Sequence, residues 1–173
     1  NQVLMISRAT KQKNIELLIK ALSQTNVKVI HIGPIAPIKR KKLISLAQNK
    51  KTLIKFLGKK INDELPYYYN VSRAYVICSK VEGNPKSLLE AMACKCPIIG
   101  TNVEGIKDLV VNKKNGLLCS QNAKSLKNSI LKILNNKKLS ENLSAEALNY
   151  IKKNNSISHF LKCEIKTILK YAK

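Results

Sequence analysis

Acid is what this chain has least of. Only 10 of its 173 residues are Asp or Glu, against 32 Lys or Arg, which gives a formal net charge of +22 at pH 7. Arginine is scarce as well, occurring only at Arg8, Arg40 and Arg73. So basic a chain invites a phosphate-backbone partner. Readers of bases and phosphates, however, favour the bidentate fork that arginine supplies and lysine does not. Lysine, asparagine and isoleucine are abundant along the whole chain, which reads as a global bias of composition. Nucleic acid is therefore not an expected partner. The densest basic cluster, Lys39-Arg40-Lys41-Lys42, has two readings: a solvated helix start, or a patch that touches an anionic membrane or an acidic partner.

Long apolar runs are missing too, and none approaches the ~18 residues that a membrane span needs. There is no initiating Met and no charged leader. The chain opens directly into Asn1-Gln2-Val3-Leu4-Met5-Ile6, which reads as a strand. The expectation is a piece of a longer protein without a signal peptide. Cysteines occur at 78, 94, 96, 119 and 163, an odd count without framework spacing. Cys94-Lys95-Cys96 lacks a second pair or a nearby His, so no metal site is expected. Reduced thiols packed as small hydrophobes imply a cytoplasmic protein, with peripheral contact at the inner face of a membrane as an added expectation. His31 and His159 read as structural.

What is present is alternation. Apolar, β-branched runs at Gln2–Ser7, Val27–Gly33, Thr52–Gly58, Ala74–Ser79, Pro97–Gly100 and Gly116–Cys119 predict strands. Between them, Ile15, Leu18, Ile19 and Leu22 mark one face of a helix over Asn14–Thr25, and Ile38–Gln48 repeats that period after Pro34 and Pro37. After Cys119 only helices follow, over Ala123–Asn135, Leu139–Asn149 and Ser156–Tyr171. Such a pattern predicts one α/β domain over 1–173. It is a Rossmann-like, doubly wound parallel sheet with helices on both faces and a helical C-terminal tail.

Four of the ten acids fall within one short window: Glu82, Glu90, Glu104 and Asp108. Glu82 and Glu90 flank a loop that leaves a predicted strand and enters a helix over about Pro85–Cys94. In open α/β sheets that is where ligands bind. Asn84 is a favoured N-cap and Pro85 a favoured first helical residue. The amides of Lys86, Ser87 and Leu88 would then be free to hold an anion, with the helix dipole behind them. The plainer alternative is a capped helix with a Lys86–Glu90 pair one turn apart. A second basic loop, Ser7-Arg8-Ala9-Thr10-Lys11-Gln12-Lys13, leaves the first strand. If the first and fourth strands are neighbours, both loops face one crevice, and Arg8 and Lys13 oppose the helix start across a space suited to a diphosphate.

Glu82-Gly83-Asn84-Pro85-Lys86-Ser87-Leu88-Leu89-Glu90-Ala91-Met92-Ala93-Cys94 resembles the E-x7-E signature of retaining GT-B glycosyltransferases, above all glycosyltransferase family 4 (glycosyl transferases group 1). Pro97-Ile98-Ile99-Gly100-Thr101, Glu104-Gly105-Ile106-Lys107-Asp108-Leu109-Val110 and Asn115-Gly116-Leu117-Leu118 resemble that family's continuation, and the Arg8…Lys13 loop its phosphate-binding segment. The resemblance covers the carboxyl-terminal, nucleotide-sugar-binding half of a GT-B fold; the amino-terminal acceptor-binding half is absent. It implies that Glu90 accepts hydrogen bonds from ribose hydroxyls and that Glu82 contacts the transferred sugar, beside Gly83, Asn84 and Pro85. It further implies that Arg8, Lys13 and the amides of Lys86 and Ser87 hold the diphosphate and stabilise its charge.

No cofactor is implied: the nucleotide-diphospho-sugar is the donor substrate, and no metal is expected because no Asp-x-Asp motif occurs. The implied partners are a nucleotide sugar, the missing N-terminal domain of the same enzyme, an acceptor sugar or lipid and, peripherally, a membrane. The products implied are polysaccharide, lipopolysaccharide or glycoconjugate. The base is expected near Phe56–Lys60. Ser7, Lys95, Asn102 and Glu104 depart from the family's pattern; Lys95 stands at a helix end where glycine is usual. Three other readings stay open: a nucleotide-sugar epimerase, a sugar phosphorylase, or an inactive Lys-rich domain that binds nucleic acid or anionic surfaces.

Overall fold

The computed structural model describes residues 1–155 and Ile165. All six expected strands form: β1 (Gln2–Ile6), β2 (Lys28–Ile32), β3 (Ile54–Phe56), β4 (Ala74–Ile77), β5 (Ile98–Thr101) and β6 (Leu117–Cys119). They make one sheet in the order β3-β2-β1-β4-β5-β6, with every neighbouring pair parallel. The first and fourth strands are therefore neighbours, in the register Val3↔Ala74 and Leu4↔Tyr75.

Successive residues of a strand face opposite sides of a sheet, and the core divides accordingly. Val3, Met5, Val29 and Val76 join one buried cluster with residues of α1 (Ile15–Ala21), α2 (Pro37–Asn49) and α5 (Ala123–Asn135). Leu4, Ile30, Tyr75 and Ile77 join the other, with residues of α3 (Leu65–Val71), α4 (Lys86–Ala93) and α6 (Lys137–Asn154). Both faces of the sheet are thus covered, and the α/β, Rossmann-like architecture is the one expected.

Helix boundaries follow local chemistry. α5 begins where expected because the Asn122 side chain accepts from the amide of Ser125 at 2.8 Å. α6 starts two residues before its expected Leu139, because Asn136 caps it by accepting from the Leu139 amide at 2.9 Å. α1 is shorter than Asn14–Thr25: Asn14 stands in the left-handed region at φ 55°, and the helix ends at Ala21. α3 has no counterpart among the expected elements. Its sequence, Leu-Pro-Tyr-Tyr-Tyr-Asn-Val, places the proline in the first turn, where a missing amide costs nothing. The expected helix Ser156–Tyr171, with His159 and Cys163, lies outside the described residues apart from Ile165.

Candidate functional site

β1 leads on to β2 and β3 on one side of the sheet, whereas β4 leads on to β5 and β6 on the other. Their carboxyl ends therefore open a crevice between diverging connections. The loop after β1, residues 7–14, and the loop after β4, residues 78–85, form its two lips. They are tied together: the Lys80 amide donates to the Gln12 carbonyl at 2.8 Å, and Gln12 Nε2 donates to the Val81 carbonyl at 2.8 Å. The first lip is braced from behind by Gly33, whose φ of 136° and close approach to the Ser7 carbonyl leave no room for a Cβ.

Lys13 and Glu82 meet across the crevice, Nζ to Oε1, at 2.6 Å. Ser79 Oγ donates to the same carboxylate oxygen at 2.5 Å, and Glu82 is only 8% exposed. An anion so buried is held by charge-assisted bonds rather than by water. The structure thus brings together two of the three expected catalytic residues as an ion pair, a contact that their spacing in sequence does not announce. Arg8 is exposed at the tip of the first lip, and its side chain has no hydrogen-bond partner among the described residues, whereas its carbonyl accepts from the Thr10 amide at 2.9 Å. Lys11 is exposed beside it.

Gly83 and Asn84 are exposed, and Pro85 is buried. Pro85, not Asn84, is the N-cap of α4, and no side chain caps the helix. This corrects the expected helix start. The Lys86 and Ser87 amides make no hydrogen bond among the described residues, as expected for an anion site. The Leu88 amide is not free: it donates to the Pro85 carbonyl at 2.9 Å, and the Leu88 side chain is fully buried. Its expected part in binding is thereby reduced to anchoring the helix.

Glu90 does not pair with Lys86. Its Oε2 accepts from the hydroxyl of Tyr69, on α3, at 2.9 Å, and that hydroxyl is also 3.0 Å from the Ser87 carbonyl. Tyr75, on β4, donates to Ser87 Oγ at 2.7 Å. The two tyrosine rings lie edge to face, 5.7 Å apart. Burial drives both phenols far above their ordinary pKa, so they remain donors. Neither tyrosine belongs to the motifs that drew attention to Glu82 and Glu90. The sequence signal for Tyr75 was a polar-tipped ring within an otherwise apolar strand, and Tyr69 stands in a segment with no helical period.

The remaining acids of the window divide. Asp108 Oδ2 accepts from the Gly105 amide at 3.0 Å and fixes the loop after β5. Gly105, at φ 75°, lies against the second lip, where a Cβ would fall 2.3 Å from the Gly83 carbonyl oxygen. Glu104 is exposed, with Lys107 at 3.8 Å. So of the four carboxylates Glu82 lies in the crevice, Glu90 is held by α3, Asp108 shapes the crevice wall and Glu104 is exposed.

A small cavity of about 10 Å³ lies between Ser7, Lys13, Tyr75, Ser79, Glu82 and Ser87, close to the space one water molecule needs. His31 is fully buried below the first lip, with Nε2 3.4 Å from Ser7 Oγ and Phe56 at 5.6 Å between ring centroids. It packs as a structural residue. Cys78 and Cys96 are buried thiols, each pushed up to about 12 by burial, which suits packing and not nucleophilic chemistry. Of the basic cluster, Lys39 pairs with Glu16 and the other three side chains are exposed. Among the described residues no helix is long and apolar enough to cross a membrane.

Comparison with known proteins agrees with this architecture. The sequence pattern of the family described as "Glycosyl transferases group 1" matches residues 1–150. An uncharacterized glycosyltransferase of Methanocaldococcus jannaschii is 31% identical over 154 residues, 87% of this chain and 43% of that protein. The capsular polysaccharide biosynthesis glycosyltransferase CapM of Staphylococcus aureus is 29% identical over 147 residues, 80% of this chain and 38% of that protein. The crystal structure of HepE from Anabaena in complex with UDP-glucose superimposes with a TM-score of 0.89 at 21% identity, over 98% of this chain and 48% of that one. The chain spans less than half the length of the curated relatives it matches.

Proposed function

The chain belongs to the glycosyl transferases group 1 family, and from that premise we propose that it is the donor-binding domain of a retaining, family 4 glycosyltransferase. The observation that carries this reading is the convergence of Lys13, Glu82 and the free Lys86 and Ser87 amides at the switch point of the sheet, with Glu90 one turn further along α4. Cations and amides at one end suit a diphosphate, whereas carboxylates at the other suit hydroxyls. A nucleotide-diphospho-sugar has both.

On this reading the diphosphate lies over the α4 amides, with Arg8 and Lys13 facing it. The bond broken joins the sugar's anomeric carbon to a diphosphate oxygen, and charge builds on that oxygen as the bond lengthens. Cations and amide dipoles already in place stabilise it without rearrangement. Side chains and a helix end supply this charge, so we propose no metal. Glu90 takes the ribose hydroxyls and Glu82 the sugar, near the Gly83–Pro85 backbone. Lys13 then has two partners, the diphosphate and Glu82.

The acceptor, a sugar or lipid, falls to a separate amino-terminal domain that closes over the crevice and positions the reacting hydroxyl. Resemblance to a capsular polysaccharide enzyme supports a product of the polysaccharide, lipopolysaccharide or glycoconjugate class. We place the protein in the cytoplasm, where its buried thiols stay reduced and nucleotide sugars are made. Thermal shift against a panel of nucleotide sugars tests the reading, because a ligand present at 100 times its Kd adds about 2.7 kcal/mol of stability. Stabilisation by at least one nucleotide sugar is expected. Stabilisation by DNA alone, falling steeply with salt, would favour the inactive nucleic-acid-binding alternative.

A further inference from the structure

Glu90 is half-buried on the second turn of α4 and makes no contact with the lysine one turn before it. A glutamate has three rotatable side-chain bonds, and on an open helix face it samples several directions. Here one direction is selected. The Tyr69 ring is 1% exposed, locked between α3 and the sheet with its edge against Tyr75. Its hydroxyl reaches Glu90 Oε2 at 2.9 Å and the Ser87 carbonyl at 3.0 Å. A phenol has one proton, and the charged oxygen attracts it more strongly than a carbonyl does. Tyr69 therefore spends its donor on the carboxylate. It occupies one of the roughly four lone-pair sites that a carboxylate offers. Oε1 has no hydrogen-bond partner among the described residues, and it remains to accept from a ligand.

We infer that Tyr69 is a positioning residue for donor binding, which holds Glu90 through Oε2 so that its free lone pairs meet the paired hydroxyls of the nucleotide's ribose. The inference rests on the reading of Glu90 as the ribose-binding group. It assigns to α3, a helix that lies outside the resembling motifs, a part in substrate recognition. The carboxylate is pre-aimed from behind, so ordering it on binding costs less than for a free side chain. Tyr69 itself touches no ligand.

The test uses the 173-residue chain as wild type, Tyr69→Phe and Glu90→Gln. Calorimetry is run with UDP, GDP and ADP, and then with the 2′,3′-dideoxy counterpart of whichever binds most tightly. Tyr69→Phe keeps the ring and removes only the hydroxyl. It is expected to weaken the ribonucleotide roughly 3- to 10-fold, the equivalent of one hydrogen bond, and to leave the dideoxy ligand within about 2-fold of wild type. A purely structural role would weaken both ligands alike, and that result overturns the inference, as does no change with either. Should Tyr69→Phe have no ribose-selective effect while Glu90→Gln has one, the reading of Glu90 stands and only the inference falls. If Glu90→Gln fails to distinguish the two ligands, or wild type binds none of the three diphosphates, the reading of Glu90 falls and the inference with it.

Discussion

Lys13 Nζ and Glu82 Oε1 lie 2.6 Å apart, joining two loops whose sequences are 69 residues apart. Lys13 keeps 22% of its side-chain surface and Glu82 only 6%, so removing the cation strands a buried anion while removing the anion frees an accessible cation. Lys13→Ala is therefore expected to destabilise the fold by roughly 1–3 kcal/mol, less than a fully buried pair would because Lys13 reaches solvent. Lys13→Ala combined with Glu82→Gln is expected to recover most of that loss and none of the diphosphate affinity. Urea unfolding of the single and double variants measures the coupling. Additive losses would mean that the pair contributes nothing.

Arg8 separates binding from stability, since its side chain is exposed and unpartnered among the described residues. Arg8→Ala should change unfolding free energy by less than about 0.5 kcal/mol. It should weaken a nucleoside diphosphate by roughly 10- to 100-fold, the value of a charge-assisted hydrogen bond. Lys11→Ala, in the same loop, is the control for bulk charge and should do far less. Equal losses at both positions would reduce the clamp to general electrostatics.

Gly105 gives a purely steric prediction. An alanine Cβ there would press on the Gly83 carbonyl oxygen at a backbone φ of 75°, whereas one at Gly83 would meet nothing within 4 Å. Gly105→Ala should thus cost about 2–4 kcal/mol, combining backbone strain with the clash. Gly83→Ala should leave the melting temperature nearly unchanged. Comparable melting of both variants would show that the loop after β5 does not brace the second lip.

Much of this was legible in the sequence, because the parallel sheet is buried on both faces and writes its strands as apolar runs. Five of the six strands fall inside an expected segment, and β5 runs one residue past its own, to Thr101. Even the awkward Lys95 was visible as a substitute for glycine at a helix end, and it stands at φ 55°, at a cost of roughly 1 kcal/mol. α3 was not legible: a proline followed by three tyrosines carries no helical period, and it is packing against α4 and the sheet that makes the segment a helix. Glu82 and Glu90 were found by spacing. Their partners Lys13 and Tyr69 stand on other elements, 69 and 21 residues away, and only the fold brings them together.

His31 supplies a pH dependence. It is buried, its Nδ1 has no hydrogen-bond partner among the described residues, and burial lowers its pKa from 6.5 to about 4. Protonation therefore favours the unfolded chain, whose histidine takes up a proton first. Stability should be complete above about pH 6.5 and decline as pH falls toward about 4, by up to about 3 kcal/mol from this residue. Replacing His31 with leucine should flatten that part of the curve. An unchanged slope would place the acid sensitivity elsewhere.

The measurement that bears most directly on the proposed donor site is calorimetry of Glu82→Gln and Glu90→Gln, each checked for folding by circular dichroism, against a nucleoside diphosphate and the matching nucleotide sugar. Glu90 stands beside the proposed ribose position, so Glu90→Gln should weaken both ligands alike, by roughly 10-fold for the loss of a charged acceptor. Glu82 faces the proposed sugar, so Glu82→Gln should leave the diphosphate nearly unchanged and weaken only the intact nucleotide sugar. Identical behaviour of the two variants with both ligands would contradict the assignment of separate roles, and with it the account of this crevice as a nucleotide-sugar site.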